Sequence, residues 1–293
     1  MNDVQIGLSL FVSIMRAEPT LFMGLVALVG SLFGSFANVV AYRLPIIIQR
    51  NIESDAREDL GLDPTSGHPF RLSLWSPRSA CPMCKSPIPS VLLLPVAGWA
   101  LAGGRCRSCA EPISMRYPAV EIATAIFSMA AAFMLGPTPQ LVAMLFLIWA
   151  AVPLALIDLD QYLLPDRLVE LILWIGLIAG AAGLFVSAAS AVVSVVVTYT
   201  SVGAVRLAAS RFSGQEMMGA GDVKLLAALA AWMPLGLMPL VVLGACLSGA
   251  LFYALLKRAR LAIPFGPMIL VAAIPVIVGQ RQLLELFPFL AVG

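Results

Sequence analysis

Seven stretches of this chain stay apolar over the roughly 20 residues that a helix needs to cross a lipid bilayer. They are 21–41, 118–135, 140–157, 168–186, 188–205, 223–256 and about 262–279. A backbone in lipid has no water to bond, so such stretches must close their own hydrogen bonds as helices. Of 293 residues, 60% are hydrophobic and 12% charged, about half the charge of an ordinary soluble chain. Disordered chains, disulfide scaffolds and soluble enzymes are thereby excluded. An all-α polytopic membrane protein remains. Residues 1–15 are too short to span, and they lack the basic start and small-residue cleavage site of a signal peptide.

Segment 223–256 is too long for one span, about 50 Å as a single helix. Pro234, Gly236 and Pro239 lie inside it and favour a break. The expected solution is a short helix at 223–233, a tight turn, and a full span at about 238–256, which makes eight helices. Charge supports that count. With eight spans, 16 of the 18 Lys and Arg fall on one side, and the opposite turns, such as Gly136 to Pro139, are short and uncharged. Positive-inside then places both termini in the periplasm and the long loops in the cytoplasm. The expected domains are an N-terminal segment 1–20, a first transmembrane helix 21–42, a cytoplasmic cysteine-containing loop domain 43–117, and a helical membrane bundle 118–293. The bundle is rich in Gly, Ala and Ser, as close helix packing in lipid requires. No internal repeat is expected.

The loop carries Cys81-Pro-Met-Cys84 and Cys106-Arg-Ser-Cys109, with 21 residues between the pairs. Two such knuckles can set four thiolates around one tetrahedral ion, and zinc is the usual occupant. The alternative is four free or redox thiols; paired disulfides are disfavoured in a reducing cytoplasm. Four protein ligands leave no open position, so the ion is expected to staple the fold. Cys246 is expected to be a packing residue of the seventh span, and His68 to sit unliganded in the loop. The apolar run 90–103 is too short to span. It either packs within the loop or rests on the membrane, and packing is favoured.

Acidic residues at span edges are costly and often functional. The third helix ends Ile157-Asp158-Leu159-Asp160, and the sixth begins Gly219-Ala220-Gly221-Asp222. With eight spans, Asp158 and Asp222 both reach the cytoplasmic edge. Two facing carboxylates in a low-dielectric site resist double ionisation, so one acts as base and the other as acid. Capping or packing, and ion transport, explain the same residues. Asp222 near a helix N-terminus suits a cap. Asp160 points away from Asp158 on a helix, and Asp166 resembles the N-cap of the fourth helix. Lys224 is placed to hold the local charge.

Taken together, GSFANVVAYRLP at 34–45, FRLSLWSPRSACPMC at 70–84, GRCRSCAEPISMRYPAVE at 104–121, IDLDQYLLPD at 157–166, MGAGDVKLLAAL at 218–229 and IPFGP at 263–267 resemble the bacterial type IV prepilin peptidase family. The resemblance covers nearly the whole chain. It implies a bifunctional GxGD-type aspartic protease of the bacterial inner membrane with its active sites facing the cytoplasm. Such an enzyme cuts the basic leader from prepilins or type II secretion pseudopilins, and then methylates the new N-terminal amine with S-adenosylmethionine. By the same resemblance the catalytic pair is Asp158 and Asp222. Gly104 and Arg105 match positions associated with the methyltransferase. The partners implied are the prepilin or pseudopilin substrates, the lipid bilayer and the pilus or secretion assembly machinery, with no nucleic acid. Rival readings are a peptidase without the methyltransferase and an ion-coupled transporter using the paired aspartates. No glycine-rich cofactor fingerprint is present.

Overall fold

A computed structural model describes residues 12–63, 72–216, 218–256 and 264–290. His68, Lys257, Arg258 and Arg260 lie outside the described residues. Residues 24–129 form one compact unit and the rest of the chain a second. Among the described residues there is no strand, only two isolated bridges, Ala80 with Pro87 and Arg105 with Pro112.

The first unit is built on α1 (Pro19–Asp59) and α3 (Arg116–Leu135), with the short α2 (Ala97–Leu101) between them. α1 does not stop at the expected membrane edge near residue 41. It continues as one helix of 41 residues through Pro45. The segment beyond Pro45 is rich in Ile, Glu and Arg, and Glu and Arg favour helix once a nucleus exists. α1 and α3 approach closely because Gly30 and Gly34 face α3. An added Cβ would meet Ser128 Oγ at 2.7 Å from Gly30 and the Glu121 Cα at 2.8 Å from Gly34. Small residues four apart serve this purpose in lipid.

In the second unit, α4 (Pro139–Gln161), α5 (Asp166–Ala181), α6 (Ala188–Ser213), α7 (Ala220–Ala230), α8 (Met238–Leu256) and α9 (Phe265–Val278) pack together, with α10 (Gln280–Leu286) following α9. Thr138 caps α4 by accepting the Leu141 N–H at 3.3 Å, and Ser187 does the same for Ser190 at the start of α6. The break in the 223–256 segment falls after α7, where Pro234 opens a 3-10 turn at Leu235–Leu237. α7 packs against α5, α6 and α9, and Leu225 to Met233 are all buried. Fully buried Trp232 donates its indole N–H to the Ile172 carbonyl at 3.1 Å. Gly176 makes room for that ring, since a Cβ there would stand 2.5 Å from the indole nitrogen.

Among the described residues, five helices are long and apolar enough to cross a membrane, or six if the α9–α10 pair, bent by 71°, is one span. Against the eight expected, α5 with 16 residues and α7 with 11 fall short of span length. α7 can be short because protein surrounds it, so its length need not match the lipid. Cys246 lies exposed on α8. Its neighbour Ala245 takes the buried face, so Cys246 does not pack in the core.

Candidate functional site

Two groups of residues converge, one in each unit. In the helical bundle, Asp158 sits in the last turn of α4 and is 5% exposed. One carboxylate oxygen accepts the Gly266 N–H at 2.9 Å. Gly266 is in the first turn of α9, where amide donors have no partner within the helix and the dipole favours an anion. Asp160, two residues on, is exposed, as the helical period requires.

Asp222 is the third residue of α7 and is partly buried. The N-cap, Gly219, has no side chain to cap with. The Asp222 carboxylate reaches back to the Gly219 amide instead, which is the returning half of a capping box. The cap reading of Asp222 is therefore partly satisfied in the structure, and one oxygen is left for other work. Leu164 connects the two acids. A Cβ on Gly221 would stand 3.0 Å from Leu164 Cβ, and one on Gly266 would stand 2.8 Å from both Leu164 Cδ2 and Asp158 Oδ2. Gly266, Leu164 and Gly221 thus bridge Asp158 and Asp222, which lie near enough to interact electrostatically. A side chain on either glycine would press on Leu164, and one on Gly266 would also crowd Asp158.

Asp166 is not the cap of α5. Pro165 holds that place, and Asp166 opens the helix. Its carboxylate pairs with Lys224 at 2.7 Å, across the contact between α5 and α7. Both side chains are about half exposed, so this pair is a modest contributor.

In the other unit, Cys81, Cys84, Cys106 and Cys109 bring four sulfurs within 4.8 Å of one another. Cys81 to Cys109 is 3.8 Å and Cys84 to Cys106 is 3.9 Å. Sulfurs bonded tetrahedrally to one ion at about 2.3 Å stand roughly 3.8 Å apart, so the four residues fit such an ion. The two knuckles are copies. In the first, the Cys81 N–H donates to Ser86, Lys85 to Cys81 and Ile88 to Ser79; in the second, Cys106 donates to Glu111, Ala110 to Cys106 and Ile113 to Gly104. The pattern C-x-x-C-x-x-P-I occurs at 81–88 and again at 106–113. The chain does contain an internal repeat, against expectation, and the spacing of Pro and Ile could have revealed it. Backbone amides of Cys109 and Ser108 hold the Cys106 thiol down at about 6. Cys109 gains a lowering amide from Glu111, but desolvation and the three neighbouring thiols push it up to about 12. Four thiolates so close repel one another, and a cation resolves that conflict.

Gly104 and Arg105 open the second knuckle. Gly104 has φ +66°, and a Cβ there would meet the Trp99 ring at 2.8 Å. Trp99 in turn donates its indole N–H to the Ile113 carbonyl at 3.1 Å, so α2 clips onto this knuckle. The apolar run 90–103 is only partly packed: Gly98 is buried, whereas Val91, Leu94 and Leu101 are exposed. Glu121 escaped notice in the sequence. It is 6% exposed and accepts the Val96 N–H at 2.7 Å, although a carboxylate inside an apolar stretch was signal enough.

Two family models match this chain. Residues 28–135 match the bacterial peptidase A24 N-terminal domain, and residues 144–254 match the type IV leader peptidase family. Similar curated proteins are the prepilin leader peptidase/N-methyltransferases of Pseudomonas aeruginosa, 41% identical over 88% of this chain and 90% of the relative, and of Aeromonas hydrophila, 39% identical over 90% and 93%. That of Pseudomonas putida is 41% identical over 87% and 90%. No solved structure matches. Both halves of the chain therefore carry the family's domains in the family's order, and the chain belongs to the type IV leader peptidase family.

Proposed function

We propose that this protein is an aspartic endopeptidase of the bacterial inner membrane that removes the basic leader of prepilins or pseudopilins at the cytoplasmic face. It then methylates the new N-terminus with S-adenosylmethionine. The observation that carries the peptidase reading is the bridge from Asp158 through Gly266, Leu164 and Gly221 to Asp222. The names of the relatives do not favour the transporter reading. In the mechanism, the substrate's scissile bond lies extended between the two acids. One carboxylate takes a proton from water as the oxygen attacks the amide carbon. The other, protonated, gives its proton to the leaving nitrogen as the C–N bond breaks. No covalent intermediate forms. The Gly266 amide holds Asp158 in place throughout.

In this reading eight helices, α1 and α3 to α9, belong to the membrane domain, with both termini periplasmic. The basic leader stays on the positive-inside face. Zinc at Cys81, Cys84, Cys106 and Cys109 staples the cytoplasmic loop. S-adenosylmethionine, when bound, supplies an electrophilic methyl group. The chain's own residues, Gly104 and Arg105 among them, orient the amine that receives it. Pilus or type II secretion machinery would take the product.

The test is prepilin cleavage in membranes by wild type, Asp158→Asn and Asp222→Asn, with the mature N-terminus read by mass spectrometry. Loss of cleavage in both variants, with methylated product from wild type, is expected. Cleavage by either variant at the wild-type rate removes that residue from the mechanism.

A further inference from the structure

The apolar run 90–103 has no charged residue and lies between the two knuckles, within the unit of residues 24–129. It folds back on itself. Ser90–Leu93 make a 3-10 turn, and α2 returns against it so closely that a Cβ on Gly98 would collide with the Leu92 carbonyl. Between them Val96 has φ +59° and ψ −51°, and the Ala97 N–H donates to the Pro95 carbonyl. This is the rare γ-turn. A β-branched residue holds a positive φ only where its surroundings impose it. Here Glu121 imposes it, by accepting the Val96 N–H at 2.7 Å from a buried place on α3.

That bond fixes a depth. α3 is long and apolar enough to cross a bilayer. Glu121 stands five residues past Arg116, where α3 begins, about 8 Å along the helix axis. The turn at Val96 is therefore carried below the level at which α3 starts. A second tie agrees. Trp75 stacks on Phe36 of α1, with ring centroids 5.2 Å apart and planes 17° apart. Phe36 lies five residues inside the span edge expected at residue 41, again about 8 Å. Arg43 of α1 fixes the chain on both sides of Trp75, donating to the carbonyls of Ser73 at 3.0 Å and Pro77 at 2.7 Å.

The surface held at this depth is apolar and uncovered. Trp75 is 80% exposed, and Val91, Leu93, Leu94 and Leu101 are 44% to 62% exposed. Trp75 and Leu93 line one cleft, so the two ties present adjoining apolar surface. The charge around it has one sign: 72–110 hold Arg78, Lys85, Arg105 and Arg107, and no Asp or Glu. An element that lies in a bilayer buries its apolar face about 5–10 Å deep and offers Lys and Arg to anionic headgroups. Depth, apolarity and charge all match.

We propose that the hairpin 90–103, together with Trp75, is seated in the lipid leaflet beside α1 and α3, and that Glu121 is its pin. The run thus rests on the membrane, the alternative that the sequence did not favour. Gly104 and Arg105 follow the hairpin directly. On the function proposed above, the second knuckle is then held at the surface where a cleaved membrane helix presents its new amine.

The test uses the full-length protein in vesicles of phosphatidylethanolamine and phosphatidylglycerol. Photoreactive benzoylphenylalanine replaces Leu94 or, as a control, Leu60, which is 75% exposed and stands just past the end of α1, about 28 Å from residue 41. After illumination, mass spectrometry reads what each position has captured. Position 94 is expected to carry phospholipid in about tenfold higher yield than position 60, the scale of burying one leucine. Glu121→Leu, which removes the pin, is expected to lower that yield about fivefold, the scale of one hydrogen bond. Glu121→Gln keeps an acceptor and is expected to restore it. Equal lipid yields at 94 and 60 overturn the docking. Capture at 94 of a second copy of the chain, or of prepilin once it is added, overturns it in favour of a protein occupant. Full lipid yield in Glu121→Leu overturns the role of the pin. Lipid capture is read before substrate or methyl donor is added, so failure of the proposed activities leaves it unmoved.

Discussion

Gly266→Ala isolates the part of the peptidase site that holds Asp158. The added methyl would stand 2.8 Å from Asp158 Oδ2 and 2.8 Å from Leu164 Cδ2. Carbon atoms pack at roughly 3.5–4.0 Å, so the contact with Leu164 is short by about 1 Å. Leu164 also lies beside Gly221, close enough that a Cβ built there would stand 3.0 Å from Leu164 Cβ, which limits its room to retreat toward Asp222. The Asp158 carboxylate must yield, and its hydrogen bond to the Gly266 amide lengthens or breaks. Overpacking of this kind costs about 1–3 kcal/mol in stability. A misplacement of about 1 Å at a reacting group costs on the order of a hundredfold in rate. The assay is leader removal from a prepilin in membranes, with kcat and KM determined separately. A fall in kcat of about a hundredfold is expected with KM little changed, because Gly266 acts on Asp158 and not on the leader. Gly203→Ala is the control, since nothing lies closer than 4.0 Å to a Cβ there. Wild-type kcat in Gly266→Ala would refute the positioning argument. A raised KM with kcat intact would make Gly266 a wall of the substrate channel.

Other expectations concern the second acid and the knuckles. Asp222→Asn keeps an oxygen for the Gly219 amide, whereas Asp222→Ala loses it. Both should abolish cleavage, but only the alanine variant should lower the melting temperature, by the equivalent of about 1 kcal/mol; equal melting temperatures would dismiss the cap. Purified protein should hold one zinc per chain by elemental analysis, and Cys81→Ser should reduce that content and expose the loop to protease. Protons compete with metal for thiolates, so bound metal should fall as the pH is lowered; metal retained in strong acid would contradict thiolate ligation. Lys224→Ala should change stability by less than about 1 kcal/mol, because its pair with Asp166 is half exposed. A larger loss, read by thermal unfolding, would show that α5 and α7 depend on that pair.

The candidate site residues stood out in the sequence because their types are expensive where they stand. Aspartates at span ends and cysteines in pairs need a reason, and that reason narrows the architecture. Three kinds of information were not legible. The length of α1 depends on tolerance of Pro45 within a helix that residues on both sides support, which a local breaker rule misses. The partners of Asp158, Glu121 and Arg43 are backbone groups distant in sequence, and backbone donors and acceptors are the same at every residue. The span count depends on burial. The sequence of α7 reads as membrane-apolar, but its apolar side chains meet protein. The repeated knuckle was legible and overlooked: a period of one turn-rich hairpin is short beside the spans that dominate the pattern.

That duplication changes how the loop closes. Each knuckle alone offers two thiolates and completes its own turn through local amides, so each can form early and separately. The costly event is bringing the halves together across the 21 residues between Cys84 and Cys106. Closure entropy rises only slowly with length, and a single ion gathering both halves removes it from the folded chain as a cross-link would. α2, Trp99 and the apolar run 90–103 all lie inside that ring of chain. If a metal staples the knuckles as proposed, a cell short of it would loosen this segment down to the bonds of Trp99 to Ile113 and Val96 to Glu121, while the helices that hold Asp158 and Asp222, on the other unit, keep their own contacts.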